Sequence, residues 1–329
     1  MNQTRSENRM TFPTKINFFI KKSPARMALI IAVLLYAVTV ALMPTALNMN
    51  AITSIIMLTL LLSFASAGQT IVLIGGGMDF TVGAVMSAGA IITAAIMNGE
   101  DGHFVETFLA VIAVSAVIGV LNGICSVKIG LPPMIVTMAI SNVVTRLTYV
   151  LTEGSPLGYA SPSFIRSVTS KILGFIPSLA LYGIVIIPLV FYILNFSRFG
   201  KQVYLVGNND NAARLNGINT NKVKILTYII SAILSGIAGM LGAGYMQSAK
   251  CQMFDGYAFN SLIAVIVGGT ALSGGTGTYT GSIAGSLLMV VLTNMLTALS
   301  LSQPVRNITL GVVMIFLLIL YNREKSVRQ

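Results

Sequence analysis

Two ionisable residues lie inside or at the edge of long apolar runs, Asp79 in GGGMDFTVG and Arg146 in SNVVTRLTYVL. In apolar surroundings a charged side chain is costly unless it meets protein groups or water. Asp79 has two interpretations: it could relay protons, or it could cap the helix after the glycines by accepting free backbone N–H groups. We favour the cap, because a relay needs a chain of further acids or histidines.

The other reactive side chains form no catalytic or metal-binding pattern. His103, the one histidine, stands in NGEDGH, which is typical of a surface loop. Cys125 and Cys251 are expected near opposite faces of the membrane, so we expect no disulfide between them. The glycine clusters carry no GxxxxGK[ST] motif. We therefore expect no catalytic residue, cofactor or metal, and any ATP must be handled by another chain.

The composition indicates the kind of scaffold that positions these residues. Of 329 residues, 55% are hydrophobic and 9% are charged, with a mean hydropathy of +0.86. Soluble proteins carry about a quarter charged residues. We predict an all-α integral membrane protein with about ten transmembrane helices, because most apolar runs approach the roughly 20 residues that cross a bilayer. The runs cover residues 27–43, 51–74, 82–97, 104–127, 133–151, 175–194, 225–246, 262–271, 279–301 and 305–321.

The positive charges predict the orientation of these spans. The net charge is +11, and most of the 20 Lys and Arg residues fall in 1–26, 195–224 and 322–329. Cytoplasmic loops carry an excess of Lys and Arg, so both termini and the central loop are predicted to be cytoplasmic, and no nucleic-acid partner is expected. The first run could instead belong to a cleaved signal peptide, but its basic leader is long for one, and we expect a retained span.

The chain has no soluble domain in this interpretation. We expect a cytoplasmic amino-terminal segment at 1–26, one transmembrane domain at 27–321 and a cytoplasmic tail at 322–329. The cytoplasmic loop at 195–224 divides the spans into two unequal groups, which has functional meaning if the loop docks a partner.

Two glycine-rich breaks interrupt the apolar runs: VLIGGGMDFTVGAVMSAGA at 72–90 and VIVGGTALSGGTGTYTGSIAGS at 265–286. Transporters often place their pathway at such breaks, because unwound backbone at membrane depth must face protein or a water-filled cavity. Small residues also let helices pack closely, and both interpretations stay open for each break. For the small-residue run 235–244, packing is the prediction. The glycines that we single out in the two breaks are Gly75, Gly76, Gly77, Gly268, Gly269, Gly274 and Gly275.

Polar residues within the spans are candidates for a pathway or a gate. Arg146 lies near the outer end of its run, where it could extend to the interface, pair with Glu153 or Asp255, or contact a polar solute. We predict extension or a structural pair. With Asp79 and Arg146, the candidates chosen by position alone are Gln69, Asn122, Asn142 and Asn294.

The central loop contains a short polar stretch, GNNDNAARLNGINTNK, at residues 207–222. Asp210 is predicted to cap a helix from Asn211 to Asn216, and Gly217 to end it in the left-handed conformation. Such a helix is marginal alone, since isolated helices need roughly 12 residues or more. It must pack against its own spans or dock into a partner's groove, with Ala212 and Leu215 on one face.

Three ordered motifs give the chain a resemblance to a known family. SRFGKQVYLVGNNDNAARLNGINTNKVKI resembles the coupling segment of ribose-type, or monosaccharide-type, permeases of ATP-binding-cassette (ABC) importers, in the branched binding-protein-dependent transport permease family. VLIGGGMDFTVGAVMS is similar to that family's GGIDLSVG, and VIVGGTALSGGTGTYTGSIAG to its VLGGTSLAGGxG. The similarity extends along almost the whole chain.

The resemblance implies a non-catalytic permease subunit of the bacterial plasma (inner) membrane. Its implied partners are cytoplasmic ATP-binding subunits, an extracytoplasmic solute-binding protein and a second permease copy or homologue. The loops 153–171 and 247–257 would face the binding protein, although GYAFNS at 256–261 departs from the family's acidic G-Y-E-L-D-A. The implied ATPase-coupling residues are Asp210, Asn211, Ala212, Ala213, Arg214, Leu215 and Gly217.

Three functions follow as hypotheses. The leading one is an ATP-driven pathway for a monosaccharide, ribose-, galactose- or xylose-like, or for a related small polar solute. The second is an ion- or proton-coupled secondary transporter that uses Asp79 as its coupling acid. The third is a membrane scaffold or channel subunit.

Overall fold

The computed structural model describes residues 24–155, 158–172, 174, 176–302, 304–313 and 315. These residues are mostly helical, as the composition predicts. A 3₁₀ turn at Pro44–Leu47 and a two-stranded antiparallel pairing of β1 (Lys171–Ile172) with β2 (Ile176–Pro177) are the short exceptions among the named elements. The helices are α1 (Pro24–Leu42), α2 (Met49–Ile74), α3 (Val82–Met97), α4 (Phe104–Val127), α5 (Pro133–Thr152), α6 (Pro162–Thr169), α7 (Leu179–Asn195), α8 (Arg198–Asn208), α9 (Asp210–Leu215), α10 (Thr220–Met246), α11 (Tyr257–Val267) and α12 (Tyr279–Ala298).

Helix α10 is the centre of the bundle. It packs along α4, α3 and α2, and most of its length is buried. A second group consists of α12 with α1, α2 and α11, so α2 is shared by both groups. Buried aliphatic and aromatic side chains fill the space between these helices, among them Phe64, Met86 and Met240.

Glycines allow the helices around α10 to approach closely. A Cβ at Gly239 would overlap the carbonyl oxygen of Met86 in α3, and one at Gly236 would overlap the hydroxyl of Ser115 in α4. On the facing helix α2, a Cβ at Gly68 would lie 2.5 Å from the Cα of Ser231. The prediction that the run 235–244 serves packing is therefore confirmed, and the reason is backbone proximity.

In the described residues, six helices are long and apolar enough to cross a membrane: α1, α2, α4, α5, α10 and α12. Helices α7 and α8 bend by 60° at their junction and together could supply a seventh span. The apolar helices α3 and α11 are shorter. A total of ten spans and the orientation of the termini remain predictions from the sequence.

Several predicted boundaries need correction. The run 262–271 is not the extent of a helix: α11 begins earlier, at Tyr257, and ends at Val267, because Gly268 and Gly269 turn the backbone away. The loop at 153–171 contains a helix of its own, α6, which Ser161 caps by accepting a hydrogen bond from the backbone N–H of Phe164. The central loop also holds two helices, α8 and α9, rather than one.

Some predictions fall partly outside the described residues. These are the segment 1–26 up to residue 23, the tail 322–329, and the last run, which is helical at 304–313.

Candidate functional site

Helix α9 begins and ends through specific local contacts. Asn209 has an extended backbone, with φ −159° and ψ 103°, and its side-chain oxygen accepts the backbone N–H of Ala212 at 3.0 Å. Gly217 has φ +77° and follows the helix in the predicted left-handed conformation. The predicted cap was wrong by one residue: Asn209 is the cap, and Asp210 lies in the first turn of a helix that ends at Leu215.

Asp210 instead fastens α9 to its surroundings. Its carboxylate forms ion pairs with Arg214 at 3.0 Å and with Lys224, at the start of α10, at 3.2 Å. Partial burial raises the pKa of Asp210, but the hydrogen bond and charge of Lys224, helped by Thr220 and Arg214, outweigh burial and hold the pKa below its usual value. The carboxylate is therefore ionised at neutral pH, and α9 is held by its own chain.

The faces of α9 differ in what covers them. Ala213 is 4% exposed and packs into the main core, whereas Ala212 and Leu215 are exposed. Leu215 is 90% exposed. The chain's own helices thus receive Ala213, and the face that was predicted to pack or dock is left uncovered within the described residues.

The first glycine break ends α2 with a regular pattern of backbone hydrogen bonds. The N–H of Gly76 bonds the carbonyl of Leu73 at 3.0 Å, and the N–H of Gly77 bonds that of Val72 at 3.0 Å. Gly76 has φ +82°. This is a Schellman motif, in which a residue with positive φ satisfies the last carbonyls of a helix.

Asp79, two residues after Gly77, lies at the centre of a buried polar network. One carboxylate oxygen accepts from the backbone N–H of Thr81 at 2.9 Å and also from the Thr81 hydroxyl. The other accepts from the hydroxyl of Ser231 at 2.8 Å. The amide of Asn122 donates to the Thr81 oxygen at 2.9 Å. The network joins α3, α4 and α10, and it brings together two of the predicted pathway residues, Asp79 and Asn122.

The structure corrects the cap interpretation of Asp79. The N-cap residue of α3 is Thr81, and Asp79 accepts its N–H just ahead of the first turn rather than inside it. The hydrogen-bond partners of Asp79 in the described chain are Thr81 and Ser231, and neither is an acid or a histidine of the kind that the relay interpretation requires.

The other candidates lie apart from this network. Gln69 is fully buried, and neither of its amide atoms has a hydrogen-bond partner in the part of the chain that the structure describes. The amides of Asn142 and Asn294 each donate back to their own helix, to the carbonyls of Met138 and Val290, both at 3.0 Å.

The charge of Arg146 acts on Asp255, one of its predicted partners. The arginine is exposed on α5, while Asp255 lies in the loop between α10 and α11. Partial burial raises the pKa of Asp255, and the charge of Arg146 opposes that increase. The ion pairs of the described residues do not include these two side chains, so a structural pair between them stays a prediction.

A cavity of about 310 Å³ lies between the first glycine break and the segment around α9. Its lining includes all three glycines of the break, the hydroxyl-bearing residues Ser126 and Thr227, and the cations Arg214 and Lys224. The cavity thus joins the break to the two cations that hold Asp210.

The second glycine break contacts the first. The N–H of Gly275 bonds the carbonyl of Ile74 at 2.8 Å, and the hydroxyl of Tyr204 in α8 bonds the carbonyl of Gly277 at 2.9 Å. Sequence reasoning did not single out Tyr204 or Ser231, and it included Thr81 and Gly207 only as members of longer motifs. The available signal for the junction with α8 was that the polar stretch itself begins with a glycine, Gly207.

These observations define a multi-pass helical membrane protein whose bundle leaves one face of a short capped helix uncovered. A family model described as "Branched-chain amino acid transport system / permease component" matches residues 51–318. The chain belongs to this family. It is a multi-pass inner-membrane permease of the ABC transporter class, with a role in transport rather than catalysis.

Relatives match over most of their length. The chain is 29% identical to the ribose import permease protein RbsC of Escherichia coli K12 over 91% of this chain and 94% of the relative. It is 31% identical to the RbsC protein of Bacillus subtilis over 79% and 80% of the two chains. The galactose/methyl galactoside import permease protein MglC of Haemophilus influenzae is 28% identical over 87% and 90%. No solved structure matches the chain.

Proposed function

We propose that this protein is the permease subunit of an ATP-driven importer for a monosaccharide, ribose-, galactose- or xylose-like, or for a related small polar solute. ATP would be hydrolysed by separate cytoplasmic subunits, and an extracytoplasmic binding protein would deliver the solute. The relatives that support a sugar are named for ribose, D-allose and galactose, although the family description names branched-chain amino acids.

The uncovered face of α9 is the observation that carries the proposal. A six-residue helix is too short to persist alone, yet this one is fixed by the Asn209 cap, the ion pairs of Asp210 and the buried side chain of Ala213. Rigid fixation together with a leucine that is 90% exposed supports docking into a partner's groove. We propose that the groove belongs to the ATPase, which makes α9 the coupling helix.

Buried polar groups and the cavity support a pathway for a polar solute. A buried amide without hydrogen bonds, such as that of Gln69, is unfavourable unless a ligand or water bonds it during function. The cavity opens beside α9, at the end of the bundle where a solute would leave under this proposal. Gln69, Asn122 and the cavity are therefore the proposed points of solute contact.

The exposed face of α5 supports a second permease copy or homologue as a partner. Asn142 and Arg146 lie there beside Val143, Leu147 and Val150. Lipid solvates a guanidinium poorly, so a charged residue on a span generally faces protein or water. We propose that a second permease subunit covers this face.

Leu215→Asp tests the coupling helix without disturbing the core, because the side chain is exposed. The matched control is Leu47→Asp. Leu47 is 60% exposed and lies in the turn between α1 and α2. This turn is at the amino-terminal end of α2, whereas α8 contacts the opposite end of α2. We expect Leu215→Asp to abolish co-purification with the ATPase and ATP-dependent solute uptake in proteoliposomes that contain all subunits. Leu47→Asp should preserve both.

Two outcomes would overturn the proposal. One is normal ATP-dependent uptake by Leu215→Asp. The other is uptake by the permease alone that follows an imposed ion gradient and needs no ATPase, which is the behaviour of the secondary transporter.

A further inference from the structure

The carboxyl-terminal end of α8 meets both glycine breaks at one place, which we call the glycine junction and define as Gly76, Gly207, Gly274 and Gly275. Gly207 is the last residue but one of α8. A Cβ at this position would overlap the carbonyl oxygen of Ile74 and would lie 2.7 Å from the backbone nitrogen of Gly275. Gly207 is helical, so glycine is required there for space and not for its conformation.

The two breaks close around this end of α8. The N–H of Gly275 donates to Ile74, the same carbonyl that Gly207 touches. A Cβ at Gly274 would lie 3.0 Å from both the carbonyl oxygen of Gly207 and the Cα of Gly76. Three separate segments of the chain are therefore in backbone contact, with no side chain between them to act as a soft spacer.

Tyr204 adds a directional bond one turn earlier in α8. Its hydroxyl donates to the carbonyl of Gly277, beyond the junction in the second break. Helix α8 is thus fastened to this break both by close packing and by a hydrogen bond.

The junction lies directly beside α9. Asn208 follows Gly207 and packs against Gly275, and the next residue, Asn209, is the cap of α9. On the other side of α9, the amino-terminal third of α10 contacts the first break: a Cβ at Gly77 would lie 2.6 Å from the hydroxyl of Tyr228. Both chain segments that flank α9 are therefore held against the first break.

We infer that the glycine junction makes α9 and the two breaks move as one body, and that Gly207 and Tyr204 are positioning residues that convert a displacement of α9 into a displacement of the breaks. The inference rests on the proposed function, in which the ATPase moves α9. Close-packed interfaces pass on discrete movements rather than absorbing them, which is the property that such a link needs.

The test compares Gly207→Ala and Tyr204→Phe with wild type in the complete importer. The control is Gly311→Ala, since a Cβ at Gly311 meets nothing within 4 Å. Three quantities are measured: co-purification with the ATPase, ATP hydrolysis, and solute taken up per ATP hydrolysed. The ratio of solute taken up to ATP hydrolysed distinguishes a role in coupling from a role in folding alone, because a folding defect lowers the amount of active importer and not this ratio.

We expect both variants to bind the ATPase and hydrolyse ATP, with uptake per ATP reduced about tenfold in Gly207→Ala and a smaller reduction in Tyr204→Phe, within the range typical of mutations between coupled sites. Gly311→Ala should match wild type. Unchanged uptake per ATP in a folded Gly207→Ala overturns the inference. If that variant does not fold, Tyr204→Phe decides, and an unchanged ratio again overturns it.

The inference and the proposed function fail in different ways. If wild type neither binds the ATPase nor takes up solute with ATP, the proposed function is wrong and the inference is overturned with it. If wild type couples uptake to ATP and both variants do so equally well, only the inference is wrong.

Discussion

The two glycine breaks begin alike and continue differently. VLIGG at 72–76 and VIVGG at 265–269 end their helices with the same pair of bonds. The N–H of Gly269 bonds the carbonyl of Ile266 at 2.9 Å, and that of Thr270 bonds Val265 at 3.1 Å, as Gly76 and Gly77 do in the first break. Gly269 has φ +95°, which matches the positive φ of Gly76.

After this common helix end, the first break continues into the buried interior of the bundle. Three residues beyond Gly76 lies Asp79, whose carboxylate organises the buried network with Thr81, Asn122 and Ser231. The corresponding residue in the second break is Leu272, which is half-buried. The first break therefore contributes a buried carboxyl group to the core of the bundle.

The second break is longer and reaches across to other elements. It contacts Ile74, Gly207 and Tyr204 before Thr278 begins α12 by accepting the backbone N–H of Gly281. Similar glycine signals thus serve two purposes: a buried polar anchor in one break and a mechanical bridge in the other. Variants at corresponding positions can test this difference.

Substitutions at Asp79 and Leu272, the corresponding residues that distinguish the two breaks, should produce the largest change in stability. Asp79→Leu removes a carboxylate that accepts three hydrogen bonds and leaves the Ser231 hydroxyl and the Thr81 N–H without it, at about 1–3 kcal/mol for each unsatisfied group. We expect a much lower thermal midpoint in detergent. A thiol-reactive dye measures it, since Cys125 and Cys251 are free and only partly exposed. The reverse change, Leu272→Asp, should be mild because that site is only half-buried.

Equal stability of Asp79→Leu and wild type would remove the distinction between the breaks. Asp79→Asn keeps the shape of the side chain and should retain part of the ATP-driven uptake. Complete loss of uptake in a folded Asp79→Asn protein would favour the proton-coupled alternative.

Alanine substitutions at Gly268 and Gly75, which end α11 and α2, should differ in their effect on stability. The larger of the two losses should be smaller than that of Asp79→Leu. Gly268→Ala forces a Cβ onto the backbone of Gly281 in α12, and overpacking of this kind costs typically about 1–3 kcal/mol. Its counterpart Gly75→Ala meets the Thr227 methyl at an ordinary 3.4 Å and should be nearly neutral. Thermal midpoints of the two variants check this, and equal losses would mean that the breaks are packed alike.

The smallest effect is expected at the start of α12. Thr278→Ala removes a cap whose hydroxyl accepts the Gly281 N–H at 3.2 Å and should cost about 1 kcal/mol. Thr278→Ser restores an oxygen and should recover most of that loss. The thermal midpoint is again the measurement, and a serine variant no better than alanine would argue against a capping role.

Much of this architecture follows from local sequence. The apolar runs predict the positions of the helices, the positive φ of Gly217 follows from glycine after a short helix, and packing by the run 235–244 follows from its small residues. The cap of α9 was misplaced because Asn209 and Asp210 are both good caps, and only the extended backbone at Asn209 distinguishes them.

The contacts within the candidate site depend on long-range packing. Nothing local connects Asp79 to Ser231, or Gly207 to Ile74 and Gly275, because these pairs are far apart in sequence. Likewise, Ala213 and Leu215 are both apolar residues of one short helix, and their neighbours in space decide which is covered.

The sequence by itself determined that this is a helical membrane protein, where its breaks and its polar helix lie, and which family it resembles, because composition, glycine and capping residues act locally. Only the tertiary structure decided that the two breaks meet α8 at one junction, that Asp79 anchors three helices, and that Leu215 is left exposed. The physical reason is that burial and backbone contact depend on which distant segments pack together. The type of a residue restricts the packing arrangements that are possible, but it does not select one of them.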